Sequence, residues 1–310
     1  MDKLNNKTVL ITGGTGFIGS HLSRELIKRG YKVIVLGKGP FQKEKLSGKI
    51  KFYKTDVCSG NLDKIFKKEY PAIVYHLAAY LPKSDTEEPA YNVKNIKTNV
   101  LGTLNVLEAA KKYGVKKIIF SSSAAVYGNP VVIPTPEDYP AKPESLYGLA
   151  KLTAENLFQV YYKLFNLSYI ILRYSNVYGP GQKPGRQGSL VADFIKKISQ
   201  DEEVIINRSG KQTRDYLYVD DVITANLLAM KSKKVGIYNV GSGSETGIND
   251  IFYKICKIFG KQIKPHYKPA GKTEIKRSLL KIDKIKRDLK WQPKNSLDAG
   301  LKKTINNLKC

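Results

Sequence analysis

Thr8-Val9-Leu10-Ile11-Thr12-Gly13-Gly14-Thr15-Gly16-Phe17-Ile18-Gly19 is the stretch on which the fold of this 310-residue chain turns. Its first half is β-branched and apolar, the composition of a short buried strand. Its second half spaces glycines as Gly-x-x-Gly-x-x-Gly, at Gly13, Gly16 and Gly19. Phe17, Ile18, Leu22 and Leu26 then recur at helical spacing as far as Arg29. Glycines in such a turn let the backbone bend tightly and come close to a ligand. The helix that follows presents unbonded N–H groups and the positive end of its dipole to a pyrophosphate. A glycine triad alone is weak, but the strand–turn–helix context required of it is present here.

Working outward, short apolar runs recur at Val33–Leu36, Ile50–Tyr53, Ala72–His76, Lys117–Ser121 and Tyr169–Leu172, with helical patterns at Asn92–Tyr113 and Ser145–Phe165 between them. Strand–helix alternation with strands apolar throughout predicts an α/β fold built on a doubly wound parallel sheet of the Rossmann type. After about Asn176 the regularity breaks into Gly- and Pro-rich turns with mixed short elements. We therefore expect a dinucleotide-binding domain over 1–175. A smaller mixed α/β substrate-binding region over 176–310 is expected to be partly woven back onto it, without linker or internal repeat.

Composition narrows the function. Hydrophobic residues at 42% and charged residues at 26% are ordinary globular usage. No apolar run reaches the ~20 residues that span a bilayer, and the polar start, Met1 to Lys7, does not read as a signal peptide. The expectation is a soluble cytoplasmic protein with no membrane partner. The net charge of +26 comes from 45 lysines and 8 arginines scattered along the whole length. Close reading of bases or phosphates favours Arg clusters, so the charge is read as a solvated surface and no nucleic-acid partner is expected. Cys58, Cys256 and Cys310 lack metal spacing, and the three histidines are too few for a metal site. Reduced thiols and no metal are expected.

Two further features carry chemistry. The second strand ends on Gly37-Lys38, where a carboxylate holding an adenosine ribose 2′-hydroxyl would otherwise stand. Its absence beside Lys38 suits a 2′-phosphate, while a plain surface lysine is an equal reading, so NAD and NADP both stay open. Tyr147-x-x-x-Lys151 opens a helix, where positions i and i+4 share a face. A cationic Lys beside a Tyr favours the phenolate and makes it a general base near neutral pH. The run Ser121-Ser122-Ser123-Ala124-Ala125-Val126-Tyr127-Gly128 stands at a strand end, where such folds place ligands.

With these motifs in place the chain resembles, end to end, the extended short-chain dehydrogenases/reductases, in particular their nucleotide-sugar epimerase/dehydratase branch. Further matching segments are Asp56-Val57, His76-Leu77-Ala78-Ala79 and Thr98-Asn99-Val100-Leu101-Gly102-Thr103. Later ones are Arg173 to Gly181, Arg214 to Val222, Tyr238 to Gly241 and Leu289 to Pro293. The resemblance implies that Tyr147 is the acid/base and that Lys151 lowers its pKa and holds the nicotinamide ribose. It implies that Ser123 hydrogen-bonds the reacting sugar oxygen. Phe17 and Ile18 would lie at the pyrophosphate, and Asp56, with Val57 beside it, at the adenine. Leu77, Ala78, Ala79 and Asn99 would line the cofactor cleft. Asn176 and Arg214 would hold the diphosphate and nucleoside of the substrate, and Arg277 would add a phosphate contact. A homodimer through the helices around Thr98–Tyr113 and Ser145–Phe165 is implied as well. His76 and Trp291 are read as packing residues, and Asp220-Asp221 as the cap of a helix beginning at Val222.

The family's dehydratases carry an Asp-Glu pair after the serine, and its decarboxylases a Glu. This chain has Ala124-Ala125, and alanine transfers no proton. The expected activity is a nucleotide-sugar 4-epimerase, on UDP-glucose/galactose or their N-acetyl forms, with NAD. An NADP-dependent reductase of a nucleotide-linked 4-keto-6-deoxy sugar is the alternative, motivated by Gly37-Lys38 and the unusual Tyr80-Leu81-Pro82-Lys83 loop. A non-catalytic dinucleotide sensor ranks below both, because Ser123, Tyr147 and Lys151 are all present.

Overall fold

The computed structural model describes residues 8–40, 50–81, 89–185, 188–269 and 275–307. Pro82, Lys83, Cys310 and the segment 1–7, named above, lie outside the described residues. The apolar runs form seven parallel strands: β1 (Thr8–Thr12), β2 (Lys32–Gly37), β3 (Ile50–Lys54), β4 (Ile73–His76), β5 (Lys117–Ser123), β6 (Tyr169–Tyr174) and β10 (Gly236–Val240). Their order across the sheet is β10-β6-β5-β4-β1-β2-β3, so the winding reverses between β1 and β4. β10, from the second region, pairs in parallel with β6 and completes the sheet.

Alternation along each strand feeds two cores. Val9, Ile11, Val33, Val35, Ile119 and Ile170 face helices α1 (Phe17–Lys28) and α7 (Val219–Lys231). Leu10, Ile34, Leu36, Val74, Ile118 and Ile171 face α2 (Asn61–Glu69), α4 (Gly102–Lys112) and α5 (Leu146–Phe165). Burial on both faces explains why the strands are apolar at every position. At the sheet edge, the buried Glu69 carboxylate accepts bonds from Tyr53 Oη at 2.6 Å and Lys51 Nζ at 2.9 Å, and pairs with Lys32 Nζ at 3.2 Å. Burial by itself would raise the Glu69 pKa, but these three donors outweigh it and hold it down to about 2.

The long helix expected over 92–113 is interrupted. It runs as α3 (Pro89–Ile96), a π-helical turn over Lys97–Leu101, and then α4. The extra residue in that turn accompanies the inward placement of Thr98 and Asn99, both buried. The second region adds a small sheet in which β9 (Thr213–Tyr218) lies parallel to β7 (Asn176–Tyr178) and antiparallel to β11 (Glu245–Gly247). A two-stranded sheet pairs β8 (Ile205–Asn207) with β12 (His266–Lys268).

The expected cap at Asp220-Asp221 is corrected. The helix begins at Val219, and Asp221 is turned to the backbone amides of Lys294 and Asn295, at 2.9 and 3.1 Å. Trp291 is buried and donates its indole N–H to the Asp221 carbonyl at 3.0 Å, so the two residues fasten the C-terminal segment to α7. Among the described residues no helix is long and apolar enough to cross a membrane, and no group of His, Cys, Asp and Glu gathers as metal ligands would.

Candidate active site

The chemistry-bearing residues collect at the carboxyl ends of the parallel strands, around the point where the winding reverses. Gly13 has φ +69°, and a Cβ there would lie 2.7 Å from the Ala78 amide nitrogen, so the turn after β1 closes directly on the segment after β4. A Cβ on Gly19 would run into the Gly13 carbonyl, which is how α1 begins so close to that turn. Gly16 ends the turn with its amide on the Gly13 carbonyl at 2.9 Å. No side chain caps the helix, and its first turn holds no acidic residue. The amides of Phe17 and Ile18 therefore belong to a cradle suited to an anion. A dinucleotide pyrophosphate fits this cradle of bare backbone.

The wall beside it is tied down internally. Thr12 Oγ1 bonds His76 Nδ1 at 2.7 Å and accepts the Ala78 amide at 3.2 Å, while His76 Nε2 meets Thr103 Oγ1 at 2.9 Å. Burial, and then the charge of Lys151, push the His76 pKa down to about 3, so it is a neutral packing residue. Asn99 holds the segment carrying Leu77, Ala78 and Ala79 by bonding both the amide and the carbonyl of Tyr80 at 2.9 Å. At the end of β2 the Thr15 side chain fills the space a Cβ on Gly37 would need. Lys38 forms an ion pair with Asp56, whose carboxylate also accepts the Cys58 amide at 3.0 Å. Lys38 is thus neutralised by the very residue the resemblance places at the adenine. Val57, next along, is buried under Gly102 at the start of α4.

Ser123 ends β5, and Tyr147 stands in the first turn of α5, capped by the Ser145 hydroxyl on the Gly148 amide at 3.1 Å. Gly148 lets that helix end sit against the Ala125 carbonyl, which brings Tyr147 up to Ser123, whose Oγ accepts the Ala125 amide at 3.2 Å. Lys151 follows one turn later, 1% exposed, with Nζ donating to the Ser121 carbonyl at 2.6 Å, 4.7 Å from the Phe120 ring centre and 5.8 Å from that of Tyr147. The electrostatics depart from the expectation of a ready phenolate. Burial pushes Tyr147 up to about 12, with only the neighbouring Ser123 hydroxyl pulling it down. Burial likewise pushes Lys151 down to about 7, opposed by the charge of Glu155. Both groups are removed from water, and each therefore resists its charged form.

Behind them lies a buried polar network that the sequence reading left without a role. Arg173 on β6 grips Glu155 on α5, with Nε at 3.0 Å from Oε1 and Nη2 at 2.6 Å from Oε2. Ser122 donates to the same carboxylate. Arg173 Nη1 donates to the Tyr127 hydroxyl at 2.8 Å, which donates to Asn239 Oδ1 at 2.8 Å. Asn239 Nδ2 reaches the carbonyls of Thr135 and Lys281. A signal was available: Glu155 is four residues past Lys151 on the helix face that turns inward, and Arg173 interrupts an apolar strand. Fully buried acids and bases are almost always paired.

The substrate residues expected in the second region share the small sheet. Asn176 on β7 is in register with Tyr216 of β9, and Arg214 of β9 with Thr246 of β11. Arg214 is half-buried and bonds the Thr213 carbonyl at 2.7 Å. Tyr216, two residues on and under the influence of the Arg214 charge, buries a hydroxyl that finds no hydrogen-bond partner among the described residues. Arg277 lies at the other border of this sheet, largely exposed, with its guanidinium on Glu245 of β11 at 2.7 and 2.9 Å. Beside it is a recess of about 250 Å³ lined by Arg208, Lys211, Lys276 and Arg277 among others.

Comparison with known proteins agrees with this geometry. Residues 9–241 match the family described as the NAD dependent epimerase/dehydratase family. A putative UDP-glucose 4-epimerase of Methanocaldococcus jannaschii is 38% identical over 304 residues, covering 97% of this chain and 98% of that one. The crystal structure of a UDP-glucose 4-epimerase from Thermotoga maritima with UDP-glucose superposes with a TM-score of 0.92 at 40% identity, covering 97% and 98% of the two chains. That of the Thermus thermophilus UDP-glucose 4-epimerase complex with NAD gives 0.89 at 32%, covering 97% and 99%. A glycine cradle at the winding reversal and a Ser–Tyr–Lys set at the next strand end thus occur in a chain matched along its length, which belongs to the NAD-dependent epimerase/dehydratase family.

Proposed function

We propose that this protein is a nucleotide-sugar 4-epimerase that works with bound NAD on UDP-glucose/UDP-galactose or their N-acetyl forms. The observation that carries the reading is the placement of Tyr147, with Lys151 one turn behind it, against the end of β5 where Ser123 stands, next to two alanines, Ala124 and Ala125, that offer no second acid or base. Bound NAD supplies a hydride acceptor that later becomes a donor at the same sugar carbon. The protein's part is to hold the sugar hydroxyl on Ser123, to take its proton on Tyr147, and to return that proton to the same oxygen after the sugar has turned. Because burial holds Tyr147 in its neutral form, the charge on Lys151 is what brings the phenolate within reach.

Gly13, Gly16, Phe17, Ile18 and Gly19 would receive the pyrophosphate. Leu77 to Ala79 would line the nicotinamide half of the cleft, and Asp56 would meet the adenine. The Lys38–Asp56 pair supports NAD over NADP, since a neutralised lysine offers little to a 2′-phosphate. Asn176 and Arg214 would hold the diphosphate and nucleoside, with Tyr216 and Arg277 beside them. Apolar side chains left exposed on α3, the π-turn and α5, namely Val93, Leu101, Leu149, Val160, Leu164 and Phe165, support a homodimer through these helices, readable as the molar mass in solution by light scattering.

The experiment is incubation with UDP-glucose, UDP-galactose and their N-acetyl counterparts, with chromatography and mass spectrometry of the products. An epimerase yields a stereoisomer of unchanged mass without net consumption of cofactor. A product lighter by water or carbon dioxide, or stoichiometric oxidation of NADPH, overturns the reading.

A further inference from the structure

Lys151 sits where an ammonium is costly, and the groups facing it can be named element by element. From β4 comes His76, which is neutral. From β5 come the Ser121 carbonyl, its hydrogen-bond acceptor, and the Phe120 ring. From β6 comes Arg173, which is bound to Glu155, while the next residue, Tyr174, turns to Asn226 of α7 on the other face of the sheet. Its own helix contributes Tyr147 and, one turn on, Glu155. Glu155 is the only anion among them. It is completely buried, and its two oxygens are filled by the bidentate Arg173 and by Ser122. Ser122 lies between the residue whose carbonyl receives Lys151 and Ser123, so one carboxylate touches the strand and the helix that together make the site.

We propose that Glu155 is a positioning residue for the reaction: its carboxylate, fixed by Arg173 and Ser122, keeps the buried Lys151 ammonium charged and aimed at the end of β5. The inference rests on the reading of Lys151 as the charge that stabilises the Tyr147 phenolate. A carboxylate near an ammonium favours the charged form, against the desolvation that disfavours it. Arg173 also donates to the Tyr127 hydroxyl and the Glu137 carbonyl, and the double variant below separates the effect of its charge from that of Glu155. Its task is to make a buried carboxylate tolerable at all, since an unpaired one would take up a proton.

The test is the titration of Lys151 itself. The Cε signals of ¹³C-lysine-labelled, cofactor-free protein are followed with pH, and the signal of Lys151 is assigned by its loss in Lys151→Arg. In Glu155→Gln, which keeps the size and the Ser122 bond, the Lys151 midpoint should fall by about one pH unit, a tenfold change in its protonation ratio. Glu155→Gln leaves Arg173 buried without a counter-ion, so the double variant Glu155→Gln/Arg173→Gln is measured with it. There the midpoint should also lie below that of the wild type. Ser122→Ala, which removes the strand clamp and keeps the charge, should leave the midpoint in place. The alkaline limb of kcat for sugar interconversion should move down with the midpoint in both Glu155 variants. An unmoved Lys151 midpoint in folded Glu155→Gln and in the double variant overturns the inference. A wild type that binds nucleotide sugars but never interconverts them would overturn the proposed function instead, and the cofactor-free titration would still stand.

Discussion

Removing the charge of Lys151 without removing its bulk isolates the electrostatic step. Lys151→Met keeps an unbranched side chain along Phe120 and deletes the ammonium that lies 5.8 Å from the Tyr147 ring centre. With that distance as the separation of charges and an effective dielectric constant of ~20, Coulomb's law gives ~3 kcal/mol between ammonium and phenolate. This amounts to ~2 pKa units, or roughly 100-fold in the population of phenolate. The sign with pH follows from the folded protein. The Lys151 pKa is pushed down to about 7, so its charge is present below that pH and lost above it. The ratio of wild-type to variant kcat should therefore be near 100-fold at pH 6 and shrink as pH rises through about 7, because the wild type loses the same charge there. The assay is steady-state interconversion of UDP-galactose and UDP-glucose between pH 6 and 10, with saturating substrate and excess NAD, and circular dichroism to confirm the fold. A deficit that stays constant across this range would refute the electrostatic role and leave Lys151 as a cofactor anchor only.

Tyr147→Phe should lower kcat by ~10²–10⁴-fold, the usual contribution of a general acid–base group, while NAD affinity by calorimetry stays near that of the wild type. A variant within a few-fold of wild type would remove Tyr147 from the chemistry. Arg214→Ala should weaken UDP binding by about 10- to 150-fold, from a charged contact of ~1.5–3 kcal/mol, and unchanged calorimetric affinity would withdraw the substrate assignment. At the sheet edge, Glu69 has a pKa depressed to about 2 from an ordinary 4.5, so its contribution to stability is complete above pH ~4.5 and is lost as pH falls towards 2. The shift corresponds to ~3 kcal/mol. Urea unfolding of Glu69→Gln should show that deficit at pH 7, less than half of it at pH ~3, and converge on the wild type only at pH ~2 and below; parallel curves would disprove the clamp.

The parts of the fold written in local sequence are those whose backbone and burial requirements are local. The β1–turn–α1 unit could be read from three glycines and a β-branched run, and the strands from runs apolar at every position, because a sheet covered on both faces tolerates nothing else. Tyr147 and Lys151 were legible because i and i+4 share a helix face whatever the tertiary structure. The π-turn at Lys97–Leu101 was not, since one extra residue in a helix leaves the apolar pattern almost untouched. Asp221 misled because an acid near a helix start usually caps, whereas here amides from Lys294 and Asn295 compete for it from more than seventy residues away. The Tyr147 pKa was misjudged for a related reason: spacing shows that a lysine is near, but burial of both partners is decided by β5 and by the strands beside it. Glu155 and Arg173 were each visible as charges in apolar surroundings, yet their pairing joins two elements and is seen only when helix and strand are laid together.

The return of β10 to the sheet has a consequence for how the protein can be made. The hydrogen-bonding edge of β6 is paired along its length by Gly236–Val240, a segment synthesised more than sixty residues later. Until those residues have emerged, the nascent domain carries an open parallel edge flanked by Ile170, Ile171 and Leu172, a surface on which another chain can add. Folding of the parallel-sheet half must therefore wait for, or be protected until, the arrival of a distant strand, as expected of folds rich in non-local pairing. A truncated product ending near residue 175 would be a partner-seeking fragment, prone to join with its own kind. In the intact protein β10 covers β6 and becomes the edge in its place, an edge blunted by the Glu137 carboxylate on the Asn239 amide and Lys284 Nζ on the Ile237 carbonyl.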